Sequence, residues 1–277
     1  MKEKSKFGIV IMAMIIITGL SLCFYPVISN LISERVSSRA IEQYDDKVSE
    51  LPDGASGDEL RKAEAYNLAL FQSSIGAEPT SVSAFDYEFM LNPSGDGMMG
   101  YVEIPAIDCR LPIYHGTDAE TLESYIGHMP SSSLPVGGKN THCVLTGHTG
   151  MPSAKLLTGL DAVAEGDIFT VTVLGRKLSY EVDRVLVVKP DETDALRIEN
   201  GQDYCTLVTC TPYGINTHRL LVRGHRVSDA PTETEPEVYD FTSFLRSPVM
   251  IALAIMLVLL LMIYAITHNK RNEAKKR

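Results

Sequence analysis

Two uncharged stretches, one near each end, constrain this chain more than anything between them. Phe7 to Tyr25 runs for nineteen residues without a charge after Lys2, Lys4 and Lys6, and Pro248 to Thr267 runs for twenty before Lys270, Arg271, Lys275, Lys276 and Arg277. About 20 apolar residues rising ~1.5 Å each match a hydrocarbon core of ~30 Å. Basic residues outside the spans favour the cytoplasmic side, so both termini are expected inside and residues 30 to 247 outside. Whatever folds between the two runs must do so as a domain tethered at both ends.

The first run also fits the basic start and apolar body of a cleaved signal peptide. Cys23-Phe24-Tyr25-Pro26 offers no small-x-small cleavage site, and Leu22 is too large to precede a lipid-modified Cys23. An uncleaved span is therefore expected. Between Leu31 and Leu245 sixteen Lys and Arg face thirty-three Asp and Glu, a balance of −17, and the two ends carry +7, which restores the chain total of −10. An acidic outer domain lacks the basic patch that nucleic acid requires. Its charge suits solubility at a cell surface.

Leu31 to Glu50 and Leu60 to Ser73 read as two helices, the second with apolar residues at helical spacing. Residues 76–97, rich in Pro, Ser and Gly, read as a loop. Strand patterns take over from Met98: residues 100–105, 107–111, 144–146, 168–174, 178–188, 204–210 and 217–223, with one short helix from Asp118 to Tyr125. Seven or eight short strands separated by turns predict a sandwich or small barrel. The divisions that follow are 1–6 tail, 7–29 membrane helix or signal anchor, 30–75 helices, 76–97 loop, 98–228 β domain, 229–247 linker, 248–267 membrane helix and 268–277 basic tail.

The chemistry concentrates in Asp203 to Arg226. The β-branched run Tyr204-Cys205-Thr206-Leu207-Val208-Thr209 delivers Cys210 to a strand end, and Pro212 and Gly214 then break the strand. Thr217 to Val222 resumes it and carries Arg219. Upstream, Val144-Leu145-Thr146-Gly147 presents His148 in the same manner. A thiol with a free pKa of ~8.5 is mostly protonated at neutral pH and needs a base beside it to attack a carbonyl. The resulting oxyanion needs a fixed donor, which a guanidinium supplies without competing for protons. Spacing alone does not choose His148 over His115, His128, His142, His218 or His225, nor Arg219 over Arg223. Cys109, Cys143 and Cys205 read as small buried residues rather than a disulfide framework.

Thr206-Leu207-Val208-Thr209-Cys210 resembles the Thr-Leu-x-Thr-Cys signature of sortases. The run from Cys210 to Gly224, with Leu134-Pro135-Val136-Gly137-Gly138 and Leu111-Pro112-Ile113-Tyr114-His115-Gly116-Thr117, resembles the pilus-building class C members. The resemblance covers roughly residues 66 to 226. It implies a mainly β fold, a closed barrel of about eight strands with short connecting helices, behind two N-terminal helices and with a transmembrane helix at each end. It also implies Cys210 as nucleophile, His148 as general acid and base, and Arg219 as the oxyanion or substrate stabiliser. The reaction implied is cleavage of a Leu-Pro-x-Thr-Gly signal after Thr, a thioester on Cys210, and transfer to a pilin lysine. No metal or organic cofactor is expected. The implied partners are pilins or surface proteins bearing such signals, at the membrane of a Gram-positive cell. A housekeeping sortase that anchors proteins to peptidoglycan shares the same three residues. An L,D-transpeptidase does not fit, since Thr209-Cys210-Thr211 is not Ser-His-Gly-Cys-x-Arg, and a non-enzymatic adhesin would survive loss of Cys210.

Two features depart from the class C pattern. The loop before the strands has Glu78-Pro79 and Ala84-Phe85-Asp86-Tyr87 but no Asp-Pro-aromatic triplet, and Thr149 follows the histidine where many relatives carry Arg. Phe85 or Tyr87 is read either as the plug of a rewritten lid or as ordinary linker packing. If a lid is present, Phe85→Ala combined with Tyr87→Ala speeds alkylation of Cys210 by a small thiol reagent. An unchanged alkylation rate discards the lid.

Overall fold

The computed structural model describes residues 2–77 and 87–228, with side chains from residue 14 onward. Phe85, the 229–247 linker and the second apolar run, 248–267, lie outside the described residues. Two long helices, α1 (Lys2–Ser49) and α2 (Ala55–Ser74), precede eight strands: β1 (Met98–Ile104), β2 (Cys109–His115), β3 (Ile126–His128), β4 (Thr141–Thr146), β5 (Ile168–Val173), β6 (Arg176–Val188), β7 (Asp203–Thr211) and β8 (His218–Val227). A short helix α3 (Ala119–Ser124) links β2 to β3, and the Asp118 carboxylate caps it by accepting from Thr121 N at 3.0 Å.

The strands close into a barrel in the order β1-β2-β3-β4-β7-β8-β6-β5, and β5 returns to β1. β2 pairs with β3 and β4 with β7 in parallel, while the other neighbours are antiparallel. The expected small barrel is thus a closed one. Closure leaves no exposed edge for another chain to pair with. At the β1–β5 seam Gly100 has no substitute, since a Cβ there would sit 2.2 Å from the Thr172 carbonyl oxygen. β3 escapes the sequence pattern because three residues centred on a glycine carry no period-two signal.

Odd residues of β7 point inward. Cys205 and Leu207 join Cys143, Leu145, Leu220 and Val222 in the main core, with Phe169 stacked on Tyr180 at 5.6 Å between centroids. Val144, Val208 and Leu221 form a second apolar cluster, which Leu186, Val188, Ala195 and Leu196 pack against. Strand alternation puts that cluster on the barrel's outer face. Cys109, Cys143 and Cys205 are buried and free, as expected of small core residues.

The helices differ from expectation at one point. The apolar run and the first N-terminal helix are one continuous helix, because nothing between Tyr25 and Leu31 ends it; Pro26 lies within it. α1 is the one helix among the described residues long and apolar enough to cross a membrane. Its far end packs on the barrel through Ile41 and Tyr44, which meet Met98 and Tyr101. The Tyr44 hydroxyl donates to Met99 O at 2.7 Å and accepts from Leu174 N at 2.9 Å, so one buried oxygen joins β1 to the β5–β6 turn. That turn has Leu174 at φ 48° and Gly175 at φ 75°, both left-handed, as a two-residue hairpin loop requires. Tyr44→Phe strands two buried backbone groups and is expected to lower unfolding free energy by about 1–3 kcal/mol, read by chemical denaturation.

Candidate active site

β7 lies between β4 and β8, and its two registers assemble the site. In the antiparallel β7–β8 ladder Cys210 is the direct partner of Arg219, as Val208 is of Leu221. Direct partners share a face, so both side chains lie on the outer face with the second apolar cluster. In the parallel β4–β7 ladder Thr146 pairs with Val208. The contact continues past the strand end: Gly147 N donates to Val208 O at 3.1 Å and Thr209 Oγ1 donates to Gly147 O at 2.8 Å. His148 follows Gly147 directly, two residues beyond the last paired residue of β4. All three residues are half-buried.

Glycine makes the His148 turn possible. A Cβ on Gly147 would lie 2.6 Å from Ile126 Cδ1 and 3.1 Å from Leu157 Cδ1. Gly150, at φ +74°, lets the Tyr213 ring approach to 2.8 Å of where a Cβ would be, so the loop after Cys210 rests on the loop after His148. Tyr213 and Ile215 otherwise project into solvent.

The structure separates the candidates that spacing left open. Arg223 also faces outward, but its guanidinium is committed: Nε and Nη2 donate to the two Asp183 carboxylate oxygens at 2.9 Å each, Nη1 reaches Glu199 at 3.2 Å, and it lies 4.0 Å over the Tyr204 ring. A β-bulge makes the pair possible. β6 pairs Val182 with Gly224 and Arg184 with Arg223, leaving Asp183 as the extra residue. Arg219 donates only to the carbonyls of Asn216 and His218, at 3.4 and 3.0 Å, and has no carboxylate partner among the described residues. Its charge remains available to an anion.

The histidines divide in the same way. His142 is buried between Arg197 O at 2.8 Å and Thr206 Oγ1 at 2.7 Å, and the cost of charging it there draws its pKa below the usual imidazole range. His128 is buried between the Tyr87 hydroxyl at 2.8 Å and Ser133 O at 2.9 Å. His115 contacts Gly97 O on β2's far side, and His225 pairs with Tyr204, six residues from Cys210. His218 is level with Thr211 and one residue out of phase with Arg219. His148 follows the end of β4, the strand paired in parallel with the one that carries Cys210. Cys109 and Cys205 are unsuited to attack, since burial pushes Cys109 up to about 12 and Cys205 well above the ordinary thiol value, and Cys143 is buried in the main core.

Tyr87 sits on β2 and β3. Its hydroxyl accepts from Gly116 N at 3.1 Å besides meeting His128, and its ring meets His115 edge-on at 4.9 Å. Sequence reasoning missed Asp183, Glu199 and Thr209 as site supports. Asp183 lies inside the strand pattern over 178–188, and its bond to Arg223 depends on a bulge that no local pattern announces.

A thiol and a guanidinium without a carboxylate partner share one outer face beside an apolar cluster, and a histidine follows the neighbouring strand. The family model for the Sortase domain matches residues 102–227. The chain is similar to the solved structure of Streptococcus agalactiae sortase C1, at 44% identity and TM-score 0.64, covering 69% of this chain and 100% of that one. It is also similar to Clostridium perfringens sortase C solved with the C-terminal cell wall sorting motif, at 41% identity and TM-score 0.61, covering 70% of this chain and 100% of that one. Among curated proteins it is 31% identical to Sortase D of Bacillus subtilis over 132 residues, 47% of this chain, and spans 64% of that relative's length.

The two arginines should separate in unfolding experiments. Arg223→Ala leaves Asp183 without its bidentate partner and is expected to lower stability by about 2–3 kcal/mol, whereas Arg219→Ala stays within about 0.5 kcal/mol. Equal losses would mean that Arg219 is structural as well.

Proposed function

The chain belongs to the sortase family of cysteine transpeptidases, and from that premise we propose that it is a class C, pilin-polymerising member working at the outer surface of the cell membrane. The observation that carries the site is the cross-strand pairing of Cys210 with Arg219, with β4, the strand that His148 follows, paired in parallel with β7. The class C reading is supported by the resemblance to sortase C structures at 40–44% identity. The membrane reading is supported by α1, an apolar helix that runs from residue 2 directly onto the barrel.

In this mechanism the Cys210 thiolate attacks the Thr carbonyl of a Leu-Pro-x-Thr-Gly signal, and a tetrahedral oxyanion forms. The Arg219 guanidinium donates to that oxygen, where removing a single donor typically costs ~10²–10³ in rate. The carbon–nitrogen bond to Gly breaks as the His148 imidazolium protonates the departing amine, leaving a thioester on Cys210. A pilin lysine then attacks the thioester, His148 accepts its proton, and an isopeptide bond replaces the carbon–sulfur bond. The outer apolar cluster around Val188, Leu196 and Val208 adjoins Cys210 and provides the surface on which the Leu-Pro segment rests. Tyr87, bonded to His128 and to Gly116 N, is the packed end of the segment that leads into β1.

Incubation with a Leu-Pro-x-Thr-Gly peptide is expected to give a thioester adduct on Cys210 by mass spectrometry. Cys210→Ala gives none, and Arg219→Ala slows acylation about 10²–10³-fold. With purified pilin, a ladder of polymers supports the class C reading; hydrolysis or peptidoglycan attachment alone points to surface-protein anchoring. An adduct absent from the unaltered protein overturns the proposed reaction.

A further inference from the structure

The loop that follows His148 is held from outside the barrel, and one of its holds is the membrane helix. Ser29 Oγ of α1 donates to Ser153 O at 2.9 Å, and Asn30 Oδ1 accepts from Lys155 N at 2.8 Å. The Asn30 amide is turned for this by Glu34, whose carboxylate takes its Nδ2 hydrogen at 2.7 Å. Lys155 is held at its other end by the carbonyls of Ile107 and Asp108, at 2.7 and 3.2 Å from Nζ. From Lys155 the path back to the site is short. Leu156 takes a left-handed φ of 41°, and Leu157 N then donates to the His148 carbonyl at 3.1 Å. A non-glycine residue at such a φ persists only where its surroundings over-determine it. Here the surroundings are the burial of Ala154, Leu156 and Leu157 together with the pegs from α1.

We propose that Ser29 and Asn30 are positioning residues for His148, so that the helix entering the membrane belongs to the catalytic apparatus as well as to the anchor. The proposal rests on reading His148 as the residue that moves the proton. These bonds are not needed to dock α1, because Ile41 and Tyr44 already do that three and more turns away. What they fix is the placement of the loop. Ser29 and Asn30 stand at the end of the 7–29 membrane helix read from the sequence, so the His148 loop is tied to the end of the anchor.

The test uses the full chain in liposomes with a Leu-Pro-x-Thr-Gly peptide as probe. Ser29→Ala with Asn30→Ala is expected to lower kcat about tenfold or more, with KM within about twofold, since a small misplacement remote from the chemistry costs up to ~10²-fold. Asn30→Asp should lower kcat too, because the new carboxylate faces Glu34. Adding Glu34→Gln restores a donor opposite it, still leaves an acceptor for Lys155 N, and should recover the rate. An unchanged kcat in the double alanine variant, a change confined to KM, or failure of Glu34→Gln to rescue Asn30→Asp overturns the proposal. Loss of turnover in His148→Ala in the same preparation leaves the underlying reading standing, whereas retained turnover overturns that reading and the proposal with it.

Discussion

Everything at the candidate site depends on the register of β7 between two neighbours of opposite sense. The antiparallel ladder to β8 sets Cys210 against Arg219, and the parallel ladder to β4 holds beside β7 the strand that His148 follows. Side chains alternate with period two, so a slip of one residue would turn Cys210 into the packed interior and put Thr209 or Thr211 in its place. The interior holds the register. Cys205 and Leu207 pack inward with Cys143, Leu145 and Val222, and any slip would replace them with the polar Thr206 and the outward Val208. Core packing and the placement of the nucleophile are therefore the same constraint seen from two faces of one strand.

The outer face is where polar chemistry is arranged, and it is arranged by commitment and omission. Asp183 and Glu199 engage Arg223, which leaves Arg219 as the outward guanidinium without a carboxylate. His142 and His128 are engaged by carbonyls and hydroxyls, which leaves His148 at the strand end. A buried pair such as Arg223 with Asp183 contributes little net stability but fixes geometry, because breaking it strands a charge. The structural arginine and the available one are separated by four residues and one β-bulge.

Much of this was readable from the residues. The β-branched runs, the Pro and Gly breaks and the helical spacings predicted most strands, both N-terminal helices and α3, since those signals are local. The Cys210 signature, set beside His148 and Arg219, identified the family. What escaped was nonlocal. β3 was too short to show a period, and the union of the apolar run with the first N-terminal helix depended on the absence of a break. Asp183 reached Arg223 only through a bulge, and the bonds of Tyr87 to His128 and Gly116 join residues far apart in sequence.

By itself the sequence determined which residues stand at strand ends, which runs are apolar enough to enter a bilayer, and which side chains within a single strand share a face. Those follow from backbone periodicity and transfer free energy, properties of short stretches. Only the tertiary structure decided which strands are neighbours, in which sense and register, and hence which arginine stands opposite Cys210. Pairing across a barrel is fixed by contacts between residues as far apart as Thr146 and Val208, and local pattern carries no information about such partners.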